Sequence, residues 1–266
     1  MPPTDLIKLV SIYYSRQNSI LGPILISLGE LIRPKGIEEG KLELLCKRQK
    51  QLSQVTDMIH AAHVFHRCVN EETPGSTKTS LPTVMSLLVG DYLLAQSSVD
   101  MADLRYPKTV DLVAKGLEDY TRGEFLKLKL FESCVDNSKA GCLSEGLAKY
   151  AQLTCGSLLS NACLSTALLA GHEVAQSKGT SKLTDLVYLF GQSTGSAQRL
   201  IELVYQPDTN SESDNNIIST LDKSLINKYI HVHLNRSMEL LSCLPDGEQR
   251  PILMKILERM IGNCSS

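Results

Sequence analysis

Apolar residues in this chain recur three and four positions apart, and that period limits what the chain can become. Leu52, Val55, Ile59, Ala62, His66 and Val69 draw one continuous stripe. Leu183, Val187, Phe190, Thr194, Ala197, Ile201 and Val204 draw a second, and Ile226, Ile230, Leu234, Met238 and Leu241 a third. At 3.6 residues per turn this spacing lines up side chains on one side of an α-helix, whereas a half-buried strand needs strict alternation. Alternating runs bounded by turn residues are hard to find, so the expected class is all-α. The third stripe stops at Pro245-Asp246-Gly247, a turn that precedes a final helix carrying Ile252, Ile256, Leu257 and Met260. Leu143 to Ala175 is apolar around most of its circumference, which predicts one or two central helices. No repeat of fixed period stands out, and the usual helix lengths give roughly eight helices in a single bundle.

At 266 residues the chain is long enough for one large, well-buried domain. Polar breaks fall near Arg33 to Glu39, Glu71 to Thr79, Asp136 to Gly141, Ser177 to Ser181 and Asp208 to Asn216. The last of these, poor in apolar residues, reads as a mobile loop over 208–216. The net charge of −2 gives no case for nucleic acid or an anionic membrane as partner. None of the 8 cysteines lies in a C-x-x-C pair, which argues against structural zinc and for a reducing compartment. The longest apolar stretch, around Ile20 to Ile32, is broken by Gly22-Pro23 and Gly29-Glu30 and is not read as a membrane span. The first residues lack a basic region followed by an apolar run, and neither a secretory signal nor a transit peptide is read there.

The segment Ile59-His60-Ala61-Ala62-His63-Val64-Phe65-His66-Arg67-Cys68-Val69-Asn70-Glu71 carries more than periodicity. It resembles the helix that bears the first aspartate-rich motif of trans-prenyl diphosphate synthases, I-H-x-A-S-L-L-H-D-D-x-x-D. Ile59, His60, Ala62 and His66 match, while the ligand positions hold Arg67, Cys68 and Glu71. Gly90-Asp91-Tyr92-Leu93-Leu94-Ala95 is similar to the family's G-D-x-L-L-A segment, and Leu153-Thr154-Cys155 stands where its K-T-A segment falls, with Thr154 retained. Of the basic residues the family places near Pro74 to Thr79, only Lys78 is present. Phe190-Gly191, Gly195 and Ala197 match the lead into the second motif, F-G-x-x-x-G-x-A-F-Q-x-x-D-D-x-x-D, but its three aspartates become Glu202, Leu203 and Gln206.

That resemblance implies an all-α isoprenoid-synthase-type bundle over 41–266, preceded by a more weakly matched helical segment over 1–40. In the family, clustered carboxylates hold magnesium ions that grip an allylic diphosphate. An arginine and a thiol at the first two ligand positions do not suit that task, so no catalytic, metal-binding or cofactor-binding residue is assigned. His60, His66, Gly90, Asp91, Thr154, Gly191 and Gly195 are expected to be structural. The loss of both motifs points to a non-catalytic subunit of a heteromeric long-chain synthase, such as one making the decaprenyl tail of ubiquinone. The partner would be the catalytic subunit, which would carry the Mg2+, and the helices around Leu81 to Asp103 and Lys108 to Phe131 are the candidate interface. A mitochondrial location would follow from the resemblance alone, and a cytoplasmic one otherwise.

Blander readings weigh against several tempting groups. His60, His63 and His66 advance by three residues twice, so the outer two do not share a helix face, and packing or hydrogen bonding is favoured over a metal. Asp100 and Asp103 read as acids on a solvated helix end rather than as a displaced motif. Cys155 and Cys163 read as small hydrophobes. No G-x-S-x-G, P-loop or G-x-G-x-x-G is present. Two alternatives stay open: an independent prenyltransferase or terpene synthase using Glu71, Glu202, Asp91, Asp100 and Asp103 as ligands, or a helical interaction module that has left isoprenoid chemistry.

Overall fold

A computed structural model describes residues 19–67, 83–135, 140–172, 183–205, 223–262 and 264; side chains between residues 131 and 144 lie outside that description. Cys68, Glu71, Lys78, Gln206 and the proposed mobile loop at 208–216 therefore fall outside the described residues. The described residues form α-helices and no strand. They are α1 (Leu21–Leu31), α2 (Glu39–Arg67), α3 (Thr83–Asp103), α4 (Pro107–Val135), α5 (Ala140–Ala151), a π turn (Gln152–Gly156), α6 (Ser157–Leu169), α7 (Leu183–Tyr205), α8 (Lys223–Cys243) and α9 (Gln249–Gly262). None of these helices is long and apolar enough to cross a membrane.

Helix ends follow local chemistry. Pro107 opens α4, where its missing N–H costs nothing and its fixed φ suits the first turn. Gly171, at φ +86°, closes α6: its N–H bonds Leu168 O and the N–H of His172 bonds Ala167 O, the paired bonds of a Schellman cap. His172 Nε2 then sits 2.8 Å from Ile32 O, just past the end of α1. Asp57 serves the other end of α1, accepting from Gly22 N at 3.1 Å and Ser19 Oγ at 2.6 Å. Carbonyl and amide groups left over at helix ends are satisfied in this way.

α6 is the centre of the bundle, buried on nearly every side and packed by α1, α2, α4 and α7. The continuously apolar sequence around it has no polar face to give to water. One large apolar cluster joins α1, α6, α7, α8 and α9 through residues such as Leu25, Leu159, Phe190, Ile230 and Leu257. Two smaller ones lie across α2: Leu52, Val55 and Ile59 against α4 and α6, and Ala61, Val64 and Phe65 against Val89 and Leu93 of α3. Between the large cluster and the α2 clusters the interior turns polar. That seam is where Arg67 and Glu202 meet.

Candidate functional site

Position along α2 and α7 brings the first residue of each altered motif, Arg67 and Glu202, face to face. Arg67, at the last described position of α2, and Glu202, near the end of α7, are both fully packed in the interior. Arg67 Nη2 lies 3.3 Å from Glu202 Oε2. The other carboxylate oxygen, Oε1, is 2.9 Å from His60 Nε2 and accepts from Gln198 Nε2 at 2.9 Å. Arg199, one turn before Glu202 on α7, places Nη1 3.6 Å from Oε2. Three cationic side chains thus surround one buried carboxylate.

Two tyrosines extend the network to the remaining walls. Arg67 Nη1 donates to the hydroxyl of Tyr120 on α4. Arg199 donates from Nε at 3.0 Å and Nη2 at 2.7 Å to the hydroxyl of Tyr150 on α5. Tyr150 in turn donates to Glu124 Oε1 at 3.1 Å, and Glu124 pairs with Lys127 at 2.7 Å. His63 lies flat on the Tyr120 ring, centroids 3.6 Å apart. The chain of contacts runs through α2, α4, α5 and α7 and is buried except at Glu124, which is partly exposed.

These partners set the charge states. Burial acts against the charged form of Glu202, but His60, Arg67 and Arg199 overcome it and hold the carboxyl far below its ordinary range. Burial also works against the imidazolium of His60, yet Glu202 and Cys155 win and push its pKa up to about 10. His63 goes the other way: burial, reinforced by Arg67, His60 and His66, keeps it neutral well below its usual value. Arg67 is held cationic by Tyr120, Tyr150 and Glu202 despite its burial.

Among the described residues, the one gathering of three potential metal ligands is His60, Cys155 and Glu202. Its geometry speaks against an ion. His60 already spends Nε2 on Glu202, and Cys155 Sγ lies 3.7 Å from its other nitrogen, Nδ1, so the nitrogen beside the thiol is not the one beside the carboxylate. Two guanidinium groups beside the carboxylate add repulsion to any cation. Magnesium fits no better. It requires several open oxygen ligands, whereas Arg67 and Leu203 stand at motif positions and Glu202 is saturated by its neighbours.

The other sequence-selected residues shape this seam. A Cβ on Gly195 would lie 2.2 Å from Cys155 O, so α7 presses directly on the π turn there, and Gly191 meets the backbone at Leu159 one turn earlier. Thr154 sits at the irregular point of the π turn, its hydroxyl 2.9 Å from Tyr150 O. Gly90 makes room for His66, whose Nε2 would be 2.2 Å from a Cβ at that position. His66 Nε2 is 3.3 Å from Asp91 Oδ1 but not aligned for a hydrogen bond, and Asp91 is otherwise exposed. Asp100 accepts from Gln96 and Asp103 faces outward, so neither approaches Glu202 as a cluster. Leu203 is apolar core. Tyr120, Glu124, Lys127, Tyr150 and Arg199 belong to the network and were not singled out in the sequence. The available signal was Arg199 itself, a charge one turn from Glu202 on the helix face of Gly191 and Gly195.

No protein-family profile matches the chain. Curated relatives do. It is 32% identical over 162 residues to a probable mitochondrial hexaprenyl pyrophosphate synthase of Neurospora crassa, covering 58% of this chain and 34% of the relative. It is 24% identical over 212 residues to subunit 2 of the decaprenyl-diphosphate synthase of Schizosaccharomyces pombe, covering 80% and 61%. The chain is thus similar to polyprenyl diphosphate synthases. Among solved structures, a geranyltranstransferase from Methanosarcina mazei superposes with a TM-score of 0.71 at 17% identity, over 100% of this chain and 92% of that one, which shows the same all-α fold. The chain spans less than two thirds of the length of the two curated relatives.

Proposed function

We propose that this chain is a non-catalytic subunit of a heteromeric polyprenyl diphosphate synthase, one that pairs with a subunit carrying both aspartate motifs intact. One observation carries the reading: Arg67 and Glu202, at the first ligand position of each motif in the family pattern, pair with each other. In the family pattern those positions take metal and diphosphate. Here the carboxylate is spent on His60, Arg67, Arg199 and Gln198, and no open oxygen cluster remains among the described residues. Magnesium, isopentenyl diphosphate and the allylic diphosphate would belong to the partner. A relative whose name makes it subunit 2 of a decaprenyl-diphosphate synthase supports a synthase built from unlike subunits. The word mitochondrial in the name of the Neurospora relative supports that location. On this reading the product would be the long isoprenoid tail of ubiquinone.

The outward face of α3 and α4 is where the partner would dock. Along α3 the exposed positions Val84, Leu87, Leu88, Ala95, Val99 and Ala102 follow helical spacing, and Val84 is 68% exposed. On α4, Phe125 and Leu128 stand 64% and 51% exposed. Large apolar side chains in such rows mark an interaction surface. The test is activity with magnesium and both diphosphates, for the chain alone and after co-expression with a cognate catalytic subunit. The expected outcome is no turnover by the chain alone, co-purification of the pair, and long-chain product from the pair. Turnover by the isolated chain, or a stable monomer that ignores the catalytic subunit, overturns the reading.

A further inference from the structure

The network around Glu202 reaches the docking face as well as the altered motifs. On α4, Tyr120, Glu124 and Lys127 point inward to Arg67, Tyr150 and each other. The residues that follow each of them, Thr121, Phe125 and Leu128, are exposed. Successive residues on a helix lie about 100° apart, so each inward anchor fixes the direction of its outward neighbour. A rotation of α4 by one residue would carry Phe125 into the seam and turn Glu124 outward. The other docking helix, α3, is tied to the same place. His66, adjacent to Arg67, lies against Gly90, and Asp91, its closest acid, stands one turn from the exposed pair Leu87 and Leu88.

We propose that the Arg67–Glu202–Arg199–Tyr150 network is a metal-free clamp that fixes the orientation of the docking face, so that Glu202 and Tyr150 are positioning residues for partner capture. The proposal deepens the reading above and rests on it for the identity of the partner. In this chain the helices meet through side-chain charge at the positions where the family pattern gathers them around magnesium. The preorganised face then needs no metal or diphosphate on this subunit. Preorganisation of an interface raises affinity by removing the cost of ordering it on contact.

Two readouts test it, one of which needs no partner. Amide hydrogen exchange over residues 107–130 of the isolated chain reports how firmly α4 is held. Glu202→Gln keeps the shape and removes the charge. Tyr150→Phe keeps the ring and removes only the hydroxyl that links Arg199 to Glu124, which guards against a variant that fails to fold. Both are expected to speed exchange in 107–130 by roughly tenfold over the change elsewhere, and to weaken capture of the catalytic subunit by roughly tenfold. Phe125→Ser should weaken capture with exchange unchanged. Magnesium with inorganic pyrophosphate should leave exchange of the wild-type chain as it was. Wild-type exchange and capture in both network variants overturn the clamp, and so does exchange that rises uniformly, as a merely structural role predicts. Protection of 107–130 by magnesium and pyrophosphate also overturns it. If the wild-type chain captures no partner, the functional reading fails while the exchange result still decides whether the clamp exists.

Discussion

In the half of the bundle where α7, α8 and α9 meet, contact among the described residues is mainly hydrocarbon and nowhere charged: Ile226, Ile230 and Leu234 face Val187, Phe190, Leu253 and Leu257, all essentially dry. The buried Thr194–Ser237 hydrogen bond between α7 and α8 is uncharged. In the half where α2, α4, α5 and α7 meet, an equally dry interior holds His60, Arg67, Arg199 and Glu202. Both halves exclude water, and they differ in how they tolerate change. Apolar packing degrades by the methylene, whereas a buried ion network fails when one partner leaves the others uncompensated. α7 belongs to both halves, with Phe190 on one side and Arg199 and Glu202 on the other.

The contrast breaks most sharply at Glu202. Glu202→Ala removes the one carboxylate shared by His60, Arg67 and Arg199, and should cost about 3–5 kcal/mol of unfolding free energy, the range for an orphaned buried charge. Urea denaturation of the purified chain measures it. A loss under 1 kcal/mol, on the scale of surface pairs, would mean that the network is an ornament of packing rather than a support.

The charged half should also impose a pH optimum. His60 has its folded pKa raised from 6.5 to about 10, so its contribution is fully present below pH 6.5 and is lost as pH rises through 10. Glu202 has its folded pKa depressed, so its contribution is present above 4.5 and is lost as pH falls below that. His63, depressed by burial first and then by Arg67, His60 and His66, likewise loses stability as pH drops below 6.5. The urea midpoint should therefore peak near pH 6.5 and decline toward pH 10. His60→Gln should flatten the alkaline limb, and an unchanged alkaline limb in that variant would remove His60 from the account.

How much of this was readable in the sequence divides along the same line. The period of three and four gave the helices, because burial of an apolar stripe is local in sequence; the turn at Pro245 to Gly247 does separate α8 from α9. The apolar run after Leu143 became α5, the π turn and the central helix α6, but nothing in its period announced the irregular backbone at Thr154. The pairing of Arg67 with Glu202 spans 135 residues, and no spacing rule reaches so far. What could be read was that Arg67 is out of place for a metal ligand, while Glu202 keeps a carboxylate. Cys155 is buried, as its apolar surroundings in the sequence predict, yet it also lies 3.7 Å from His60 Nδ1. Tyr120 and Tyr150 were invisible, since a tyrosine on an amphipathic helix gives no sign of whether its hydroxyl meets water or a guanidinium.

The smallest effect belongs to the apolar half and calibrates the rest. Ile230 is fully buried on α8, within the cluster that joins α7 and α9. Ile230→Val deletes one methyl group in surroundings that can partly relax, so its expected cost is about 0.5–1.5 kcal/mol. For a chain of this size that lowers the melting temperature by roughly 2–4 °C per kcal/mol. The change should leave the alkaline limb of the pH profile parallel to wild type, because no titrating group is touched. A cost equal to that of Glu202→Ala would show the two halves to be one cooperative core with no difference in kind. A small, pH-independent loss would locate the pH sensitivity of the fold in the network that stands where the family pattern places its metal ligands.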